Sequence, residues 1–240
     1  MIDHNYKCIF IHIPRTGGTS IEQGIRGNAP YLDIGRQDKH LLTHHILAST
    51  SKKIYAEHWD DYFKFSFVRN PWSRMVSTTK FPRFFGAHIE NGLLNIEGYL
   101  EKFPKIEIDP RSKSRDHPLD NIIDGAVYLN ILNEKLDFIG KFENLQEDFD
   151  TVCDKIGVPP KKLPHISKSS SVEGIPHSLN TILKEQGDPK SGCAVFDQSL
   201  QAFLRGDQRH YTENYDDETR KIVSKLYKKD IEYFGYEFGE

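Results

Sequence analysis

The sequence predicts an α/β protein with a parallel sheet flanked by helices. Two observations carry this prediction. Short segments rich in β-branched and aromatic residues are each followed by a turn and then by an amphipathic segment with helical spacing. This unit begins near residues 7, 62 and 137, and strands that alternate with helices are typical of parallel sheets.

The first unit starts with a strand over Lys7 to Ile13, which Pro14 and the glycines after it interrupt. Thr19 and Glu22 have the spacing of a capping box, so a helix is expected to begin at Thr19. Gly27 would end this helix. The predicted order is therefore strand, glycine loop, helix.

The second and third units repeat this order. Residues 62–68 alternate phenylalanines with polar residues, which indicates a strand, and Asn70 is expected to cap a helix whose first residue is Pro71. Residues 137–142 predict a third strand, followed by a helix from Leu145 to Ile156 with one apolar face, which ends before Gly157.

The rest of the chain predicts one long helix and one long loop. The helix runs from Asp216 to Gly235, with negative charge in its first turn and a buried stripe. Residues 167–209 are rich in Ser, Gly, Gln and Asp, a composition expected for a functional lid or a disordered stretch. A length of 240 residues fits a single domain, 1–240, with an inserted loop or lid at about 170–208.

The composition excludes several classes of protein. Because 32 basic and 35 acidic side chains leave a net charge of -3, the chain has no overall preference for nucleic acid polymers. It contains no apolar run of the ~20 residues that a membrane span needs. Its three cysteines lie far apart without a CxxC pair, so neither a disulfide framework nor a cysteine zinc site is expected. Without a recognisable signal peptide, the chain is expected to be cytoplasmic.

The loop after the first strand has the features of an anion site. Gly17 and Gly18 allow positive φ and close approach of the backbone, and the positive end of a helix dipole follows. Arg15 adds a guanidinium that can fork onto phosphate or sulfate oxygens. The alternative is an ordinary strand-to-helix turn. A Walker A loop is excluded because no lysine follows the glycines.

A second anion site is predicted after the second strand. Arg69 stands at the end of that strand and Ser77 lies two turns into the next helix, so both could reach one anion. Open α/β sheets bind ligands at the carboxyl ends of their strands, and two such sites favour a ligand with two separated charges. The alternative is that Arg69 pairs with a carboxylate of the protein.

These motifs resemble those of sulfotransferases that use 3'-phosphoadenosine 5'-phosphosulfate (PAPS). Residues 10–20, FIHIPRTGGTS, are similar to the family's 5'-phosphosulfate loop, and residues 67–77, FVRNPWSRMVS, to its 3'-phosphate motif. The resemblance extends through 138–145, 163–165 and 215–238, and is closest to the carbohydrate branch that includes heparan sulfate 2-O-sulfotransferase and bacterial relatives. It implies a P-loop-kinase-like fold and metal-free transfer to a hydroxyl, expected to be that of a saccharide or glycoconjugate.

The resemblance also implies roles for individual residues. The 5'-phosphosulfate would be held by Thr16, Gly17, Gly18, Thr19 and Ser20, and the 3'-phosphate by Arg69 and Ser77. Arg15 stands where many relatives carry a lysine that stabilises the bridging oxygen as the nucleotide leaves. Lys168 lies in a segment that resembles a loop closing over the nucleotide, which makes it a further ligand candidate.

Transfer to a hydroxyl needs a general base, and histidine suits this role near neutral pH. In this family branch the catalytic histidine precedes the second strand, where His40 fits the pattern best, followed by His44 and then His45. His40 and His44 also have the i,i+4 spacing of metal ligands, but they do not form the HExxH pattern of a metal site. His12, in the first strand, is expected to be a buried and hydrogen-bonded core residue.

Some alternatives stay open at this point. The chain could be a nucleotide-binding or partner-binding module without catalysis, or an atypical P-loop kinase, although the missing Walker lysine counts against a kinase. Glu57 and His58 are further acid–base candidates. The acceptor pocket is expected to form from residues 79–118 and from the segment after Ser169.

Overall fold

The computed structural model describes most of the predicted sheet and its helices. The described residues are 1–27, 45–79, 89–90, 93–94, 124–164 and 210–240. The predicted candidates His40, His44 and Lys168, and the predicted insertion at 170–208, lie outside them. Their roles therefore stay predictions.

A four-stranded sheet forms the centre of the fold. In the described residues the strands are β1 (Ile2–Asp3), β2 (Cys8–Ile11), β3 (Phe63–Val68), β4 (Ile89–Glu90), β5 (Leu93–Leu94) and β6 (Phe138–Lys141). The sheet has the order β1-β2-β3-β6, and β4 pairs with β5 separately. β2, β3 and β6 are parallel, which confirms the predicted α/β fold class. β1 adds an antiparallel edge that was not predicted, because two residues carry no pattern.

Helices flank this sheet. The α-helices in the described residues are α1 (Gly18–Arg26), α2 (Ala48–Ile54), α3 (Ala56–Trp59), α4 (Pro71–Thr79), α5 (Tyr128–Ile131), α6 (Leu145–Ile156), α7 (Asp217–Leu226) and α8 (Lys228–Phe234). Short 3₁₀ helices occupy Phe142–Asn144 and Tyr211–Asn214. The predicted helices α1, α4 and α6 are confirmed. The prediction of a single long C-terminal helix is wrong, because the chain leaves helical geometry at Tyr227 (φ -114°, ψ 20°).

The start of α1 also differs from the prediction. The N-cap is Gly17 rather than Thr19, and no side chain caps the helix. Glu22, the predicted partner in a capping box, is buried and accepts a hydrogen bond from His12 instead. A contact with the neighbouring strand therefore replaces the local capping interaction.

The strand register brings the two predicted anion sites to one edge of the sheet. Ile11 pairs with Ser66, so the loop containing Arg15 and the turn containing Arg69 leave neighbouring strands at the same end. The sheet has a hydrophobic core on each face. One core contains Phe10, Phe65, Phe67 and Phe149, and the other contains Ile9, Ile11, Val68, Trp72 and Tyr227. The loops thus stand on a sheet that is packed on both sides.

Candidate functional site

Two residues with positive φ and two hydrogen bonds define the backbone of the loop between β2 and α1. Arg15 has φ +69° and Gly17 has φ +84°, both in the left-handed region. The Thr16 hydroxyl donates to the Ile13 carbonyl over 2.8 Å, and Ser20 N donates to the Gly17 carbonyl over 3.0 Å. The loop therefore turns directly into the first turn of α1, where the helix dipole favours an anion.

Gly18 is required for a different reason than Gly17. Both glycines permit positive φ, but only Gly17 adopts it. A Cβ atom at Gly18 would lie 2.1 Å from Nε2 of His12. The His12 ring thus occupies the space that any side chain at residue 18 would need.

His12 is a buried, neutral residue beneath the loop. Its Nδ1 lies 3.1 Å from Oε1 of Glu22. Burial is the main cause that lowers the pKa of His12 to about 3, with repulsion from the N-terminus and Arg15 adding to it. Although a carboxylate lies beside it, burial dominates, so we assign a neutral ring that donates Nδ1–H to Glu22. The prediction that His12 is a hydrogen-bonded core residue is confirmed.

The two predicted anion sites contact each other in the structure. Arg15 Nε donates to the Ser77 hydroxyl over 3.0 Å, and Arg69 Nη1 donates to the Arg15 carbonyl over 3.3 Å. Arg69 Nε also donates to the Ser73 hydroxyl over 2.9 Å, and its guanidinium lies 4.1 Å from the centre of the Phe142 ring. The residues predicted from two separate motifs therefore form one site.

Two arginines with restricted access to water give this site its charge. Burial lowers the pKa of Arg15 to about 10, and repulsion from Arg69 and Arg74 adds to the shift. Burial likewise lowers the pKa of Arg69 to about 10, while the nearby Glu143 carboxylate opposes the shift. Both guanidinium groups are positively charged near pH 7. A bound anion would offset the cost of holding them together.

The Glu143 carboxylate holds the turn after Arg69. Its Oε1 accepts from the backbone N–H of Asn70 over 2.8 Å, and its Oε2 accepts from the Tyr236 hydroxyl over 3.3 Å. Tyr128 contacts the same turn, because its hydroxyl donates to the Arg69 carbonyl over 2.6 Å. The sequence left open that Arg69 pairs with a carboxylate of the protein. Glu143 is a carboxylate close to Arg69, but its hydrogen bonds go to Asn70 and Tyr236.

A cavity of about 780 Å³ opens beside the first turn of α1, at Ser20. It extends from Ser20 to Phe142, the ring against which Arg69 lies. Its remaining lining residues are Glu143, Leu145, Gln146, Asp150, Pro160, Lys161, Lys162, Leu163 and Pro164. This volume is within the range of small-molecule sites. Through Phe142 the cavity adjoins the Arg69 guanidinium, and its lining combines apolar side chains with two lysines and two carboxylates.

His45 is the one member of the predicted histidine cluster that the structure describes. Its Nδ1 donates to the His12 carbonyl over 3.2 Å, and the two rings meet edge to face with centroids 4.6 Å apart. Loss of water around the ring is the main cause that lowers the pKa of His45 well below the ordinary 6.5, and repulsion from His12 adds to it. The hydrogen bond to the His12 carbonyl favours the protonated ring and opposes this shift.

His58, another candidate, lies elsewhere. It stacks on Tyr62, just before β3 begins, with a centroid distance of 4.8 Å. Within the described stretches, no group of three or more His, Cys, Asp or Glu side chains could hold a metal ion. None of the helices described combines the length and the apolar character that crossing a bilayer requires.

Sequence analysis missed two residues that shape the site. Arg74 is fully buried, and an arginine between the apolar residues Trp72, Met75 and Val76 on α4 was the signal that could have revealed it. Tyr128, which contacts the Arg69 carbonyl, gave no signal. It lies in a helix of only four residues, 59 positions along the chain from Arg69.

Comparison with known proteins adds a family to this geometry. Neither the curated proteins nor the solved structures gave a match. A family model described as "Sulfotransferase family" matches residues 1–82 and 130–237, which is well over half of the chain. The match includes the loop before α1, the turn after β3 and the helices from α6 to α8. The chain therefore belongs to the sulfotransferase family.

Proposed function

We propose that the protein transfers the sulfuryl group of PAPS to a hydroxyl of an acceptor, a saccharide or glycoconjugate. The observation that carries the proposal is the meeting of two segments that follow neighbouring strands: the Arg69 guanidinium donates to the backbone carbonyl of Arg15, and the two positive charges lie close enough to repel each other. PAPS has negative charge at both its 5'-phosphosulfate and its 3'-phosphate. Membership of the sulfotransferase family supports this donor.

The described residues fit the two charged ends of this nucleotide. Residues 16–20 and the helix dipole of α1 would hold the 5'-phosphosulfate, while Arg69 and Ser77 would hold the 3'-phosphate. The Ser77 hydroxyl accepts a hydrogen bond from Arg15, so its own proton can still be donated to a phosphate. The 780 Å³ cavity beside Ser20 would take the nucleoside. Lys168 remains a proposed further ligand.

The proposed reaction is an in-line displacement. A new bond forms between the acceptor oxygen and sulfur, while the bond from sulfur to the bridging oxygen breaks. The products are a sulfate ester and 3'-phosphoadenosine 5'-phosphate, and the acceptor proton passes to the base. Arg15 would stabilise the charge on the leaving phosphate by its position and charge, because a guanidinium cannot serve as the proton donor.

We propose His45 as the base. Its Nδ1–H is donated to the His12 carbonyl, so in the neutral ring Nε2 is the unprotonated nitrogen. The contact with His12, whose ring lies against Gly18, places His45 near residues 14–20, which we call the proposed phosphate loop. His40, the first prediction from the sequence, and His44 remain the alternatives.

The cofactor is tested by calorimetric titration with 3'-phosphoadenosine 5'-phosphate and, separately, with ATP and Mg²⁺. We expect the 3'-phosphorylated nucleotide to bind and ATP to fail, and we expect the Arg69→Ala variant to lose most of the binding. Binding of ATP alone would favour a kinase. Absence of binding to either nucleotide would contradict the proposed donor.

The base is tested with three single variants, His40→Ala, His44→Ala and His45→Ala, and with His58→Ala as the control. With PAPS and a saccharide panel, we expect His45→Ala to keep nucleotide affinity and to lose turnover, while His58→Ala behaves as the wild type. Loss of turnover in His40→Ala instead would return the role to His40. Nucleotide binding without transfer to any acceptor would favour the non-catalytic module. We expect EDTA to leave the rate unchanged.

A further inference from the structure

Arg74 connects the proposed phosphate loop to the C-terminal helices. It lies on α4, its side chain is fully buried, and its Nε donates to the Pro14 carbonyl over 2.9 Å. Its Nη1 donates to the Tyr227 hydroxyl over 2.6 Å, and its guanidinium lies 5.4 Å from the centre of the Tyr128 ring. The described partners of this one side chain thus come from three separate parts of the chain.

The position of Pro14 gives this contact its importance. Arg15, the next residue, has φ +69°, a conformation that costs a residue with a side chain roughly 1–2 kcal/mol. Such a conformation persists when its surroundings hold it. Arg74 holds the peptide group that immediately precedes Arg15, so it constrains the direction in which the Arg15 side chain leaves the backbone.

The side chain of Arg15 is held by the same helix. It donates to Ser77, which lies three residues after Arg74 and therefore on the same side of α4. Helix α4 thus contacts the Arg15 region twice, through Arg74 at the backbone and through Ser77 at the guanidinium. A lysine at residue 74 would replace the two separate nitrogen donors of the guanidinium with a single ammonium, so it could not hold Pro14 and Tyr227 in the same geometry.

We propose that Arg74 is a positioning residue, which fixes the Pro14–Arg15 backbone so that Arg15 meets the departing phosphate, and which does not itself bind the nucleotide. Its complete burial and its hydrogen bonds to Pro14 and Tyr227 support this role. The inference rests on the proposed sulfotransferase function.

The test compares wild type, Arg74→Lys and Tyr227→Phe, with Arg220→Lys as a matched control on the surface of α7. Three quantities are measured: kcat with PAPS, the Kd of 3'-phosphoadenosine 5'-phosphate, and the hydrogen exchange of backbone amides 15–20. For Arg74→Lys we expect kcat to fall about tenfold or more, since displacement of a group at the reacting centre is costly. We expect its Kd to change less than about threefold, since charge-assisted contacts at Arg69 are kept.

Tyr227→Phe removes a single hydroxyl and keeps the fold's packing, so it remains informative if Arg74→Lys fails to fold. We expect it to lower kcat in the same direction but less, with faster exchange of the loop amides, and we expect Arg220→Lys to leave all three quantities unchanged. An equal loss of kcat and of nucleotide affinity in Arg74→Lys would overturn the proposal, because it would make Arg74 a direct ligand.

The exchange measurement separates failure of this inference from failure of the proposed function. If the wild type neither binds the nucleotide nor transfers sulfate, the proposed function fails. Unchanged exchange of amides 15–20 in both variants would overturn the role of Arg74, whatever the activity. A lower melting temperature with unchanged kcat and unchanged loop exchange would also overturn it, because Arg74 would then be merely structural.

Discussion

A methyl group at Gly18 would collide with the buried His12 ring. The added Cβ would lie 2.1 Å from Nε2 and 2.2 Å from Cδ2, whereas ordinary contact begins at 3.4 Å. Relief requires a displacement of about 1.3 Å, the difference between 3.4 and 2.1. The ring cannot easily yield, because Glu22 holds its Nδ1 and Phe10 stacks on it with a centroid distance of 5.4 Å. Overpacking of this kind costs about 1–3 kcal/mol.

For Gly18→Ala we therefore expect a lower melting temperature, by about 2–4 °C for each kcal/mol in a chain of this size. We also expect weaker binding of 3'-phosphoadenosine 5'-phosphate, because the start of α1 must move away from the anion. Gly157→Ala is the control. No atom lies within 4 Å of its added Cβ, and its left-handed conformation (φ +76°, ψ +25°) costs an alanine roughly 1–2 kcal/mol in stability without touching the loop.

A double-mutant cycle tests the assigned cause. In His12→Ala the obstructing ring is gone, so adding Gly18→Ala to that background should cost at least about 1 kcal/mol less than in the wild type. The measurement is urea unfolding of all four proteins. The reasoning is refuted if Gly18→Ala unfolds like the wild type with unchanged nucleotide affinity, or if the cycle shows no coupling.

Three further predictions follow from the same site. Arg69→Ala should weaken binding of 3'-phosphoadenosine 5'-phosphate by about tenfold or more in calorimetry, because charge-assisted hydrogen bonds contribute about 1.5–3 kcal/mol. The control is Lys52→Ala, which breaks a surface pair with Glu134 and should leave this affinity unchanged. Tyr236→Phe removes the donor to Glu143 and should lower the free energy of unfolding in urea by about 1 kcal/mol; an unchanged midpoint would contradict this contact. If His45 is the base, kcat/KM, which reports the free enzyme, should fall as pH decreases through its lowered pKa, with a midpoint below 6.5; a midpoint above 6.5 would contradict this role.

Local features of the chain were predictable because they depend on neighbouring residues. The alternation in 62–68 identified β3, and Asn70 followed by Pro71 identified the start of α4, where Ser73 N donates to Asn70 Oδ1 over 3.2 Å. Gly157, with φ +76°, ends α6 as expected. In each case the signal is a hydrophobic period or an allowed backbone geometry, and it involves residues only a few positions apart.

Contacts between distant residues decided the features that were missed. Glu22 does not cap α1 because His12, the residue directly after strand β2, donates to its carboxylate. The C-terminal helix is interrupted at Tyr227, whose hydroxyl meets Arg74 from a position 153 residues earlier. Neither partner can be chosen from local sequence, since the pairing depends on how strands and helices pack.

The sequence by itself determined the fold class and the residue types of two anion sites, because strand–turn–helix patterns and glycine–arginine loops are local signals. Only the tertiary structure joined the two sites. The parallel register of β2 and β3 brings Arg15 and Arg69 together across 54 positions, and the His12 carbonyl orients His45 across 33. Strand pairing and side-chain hydrogen bonds bring these residues together although they are far apart in the sequence. No local pattern specifies the partners in such contacts.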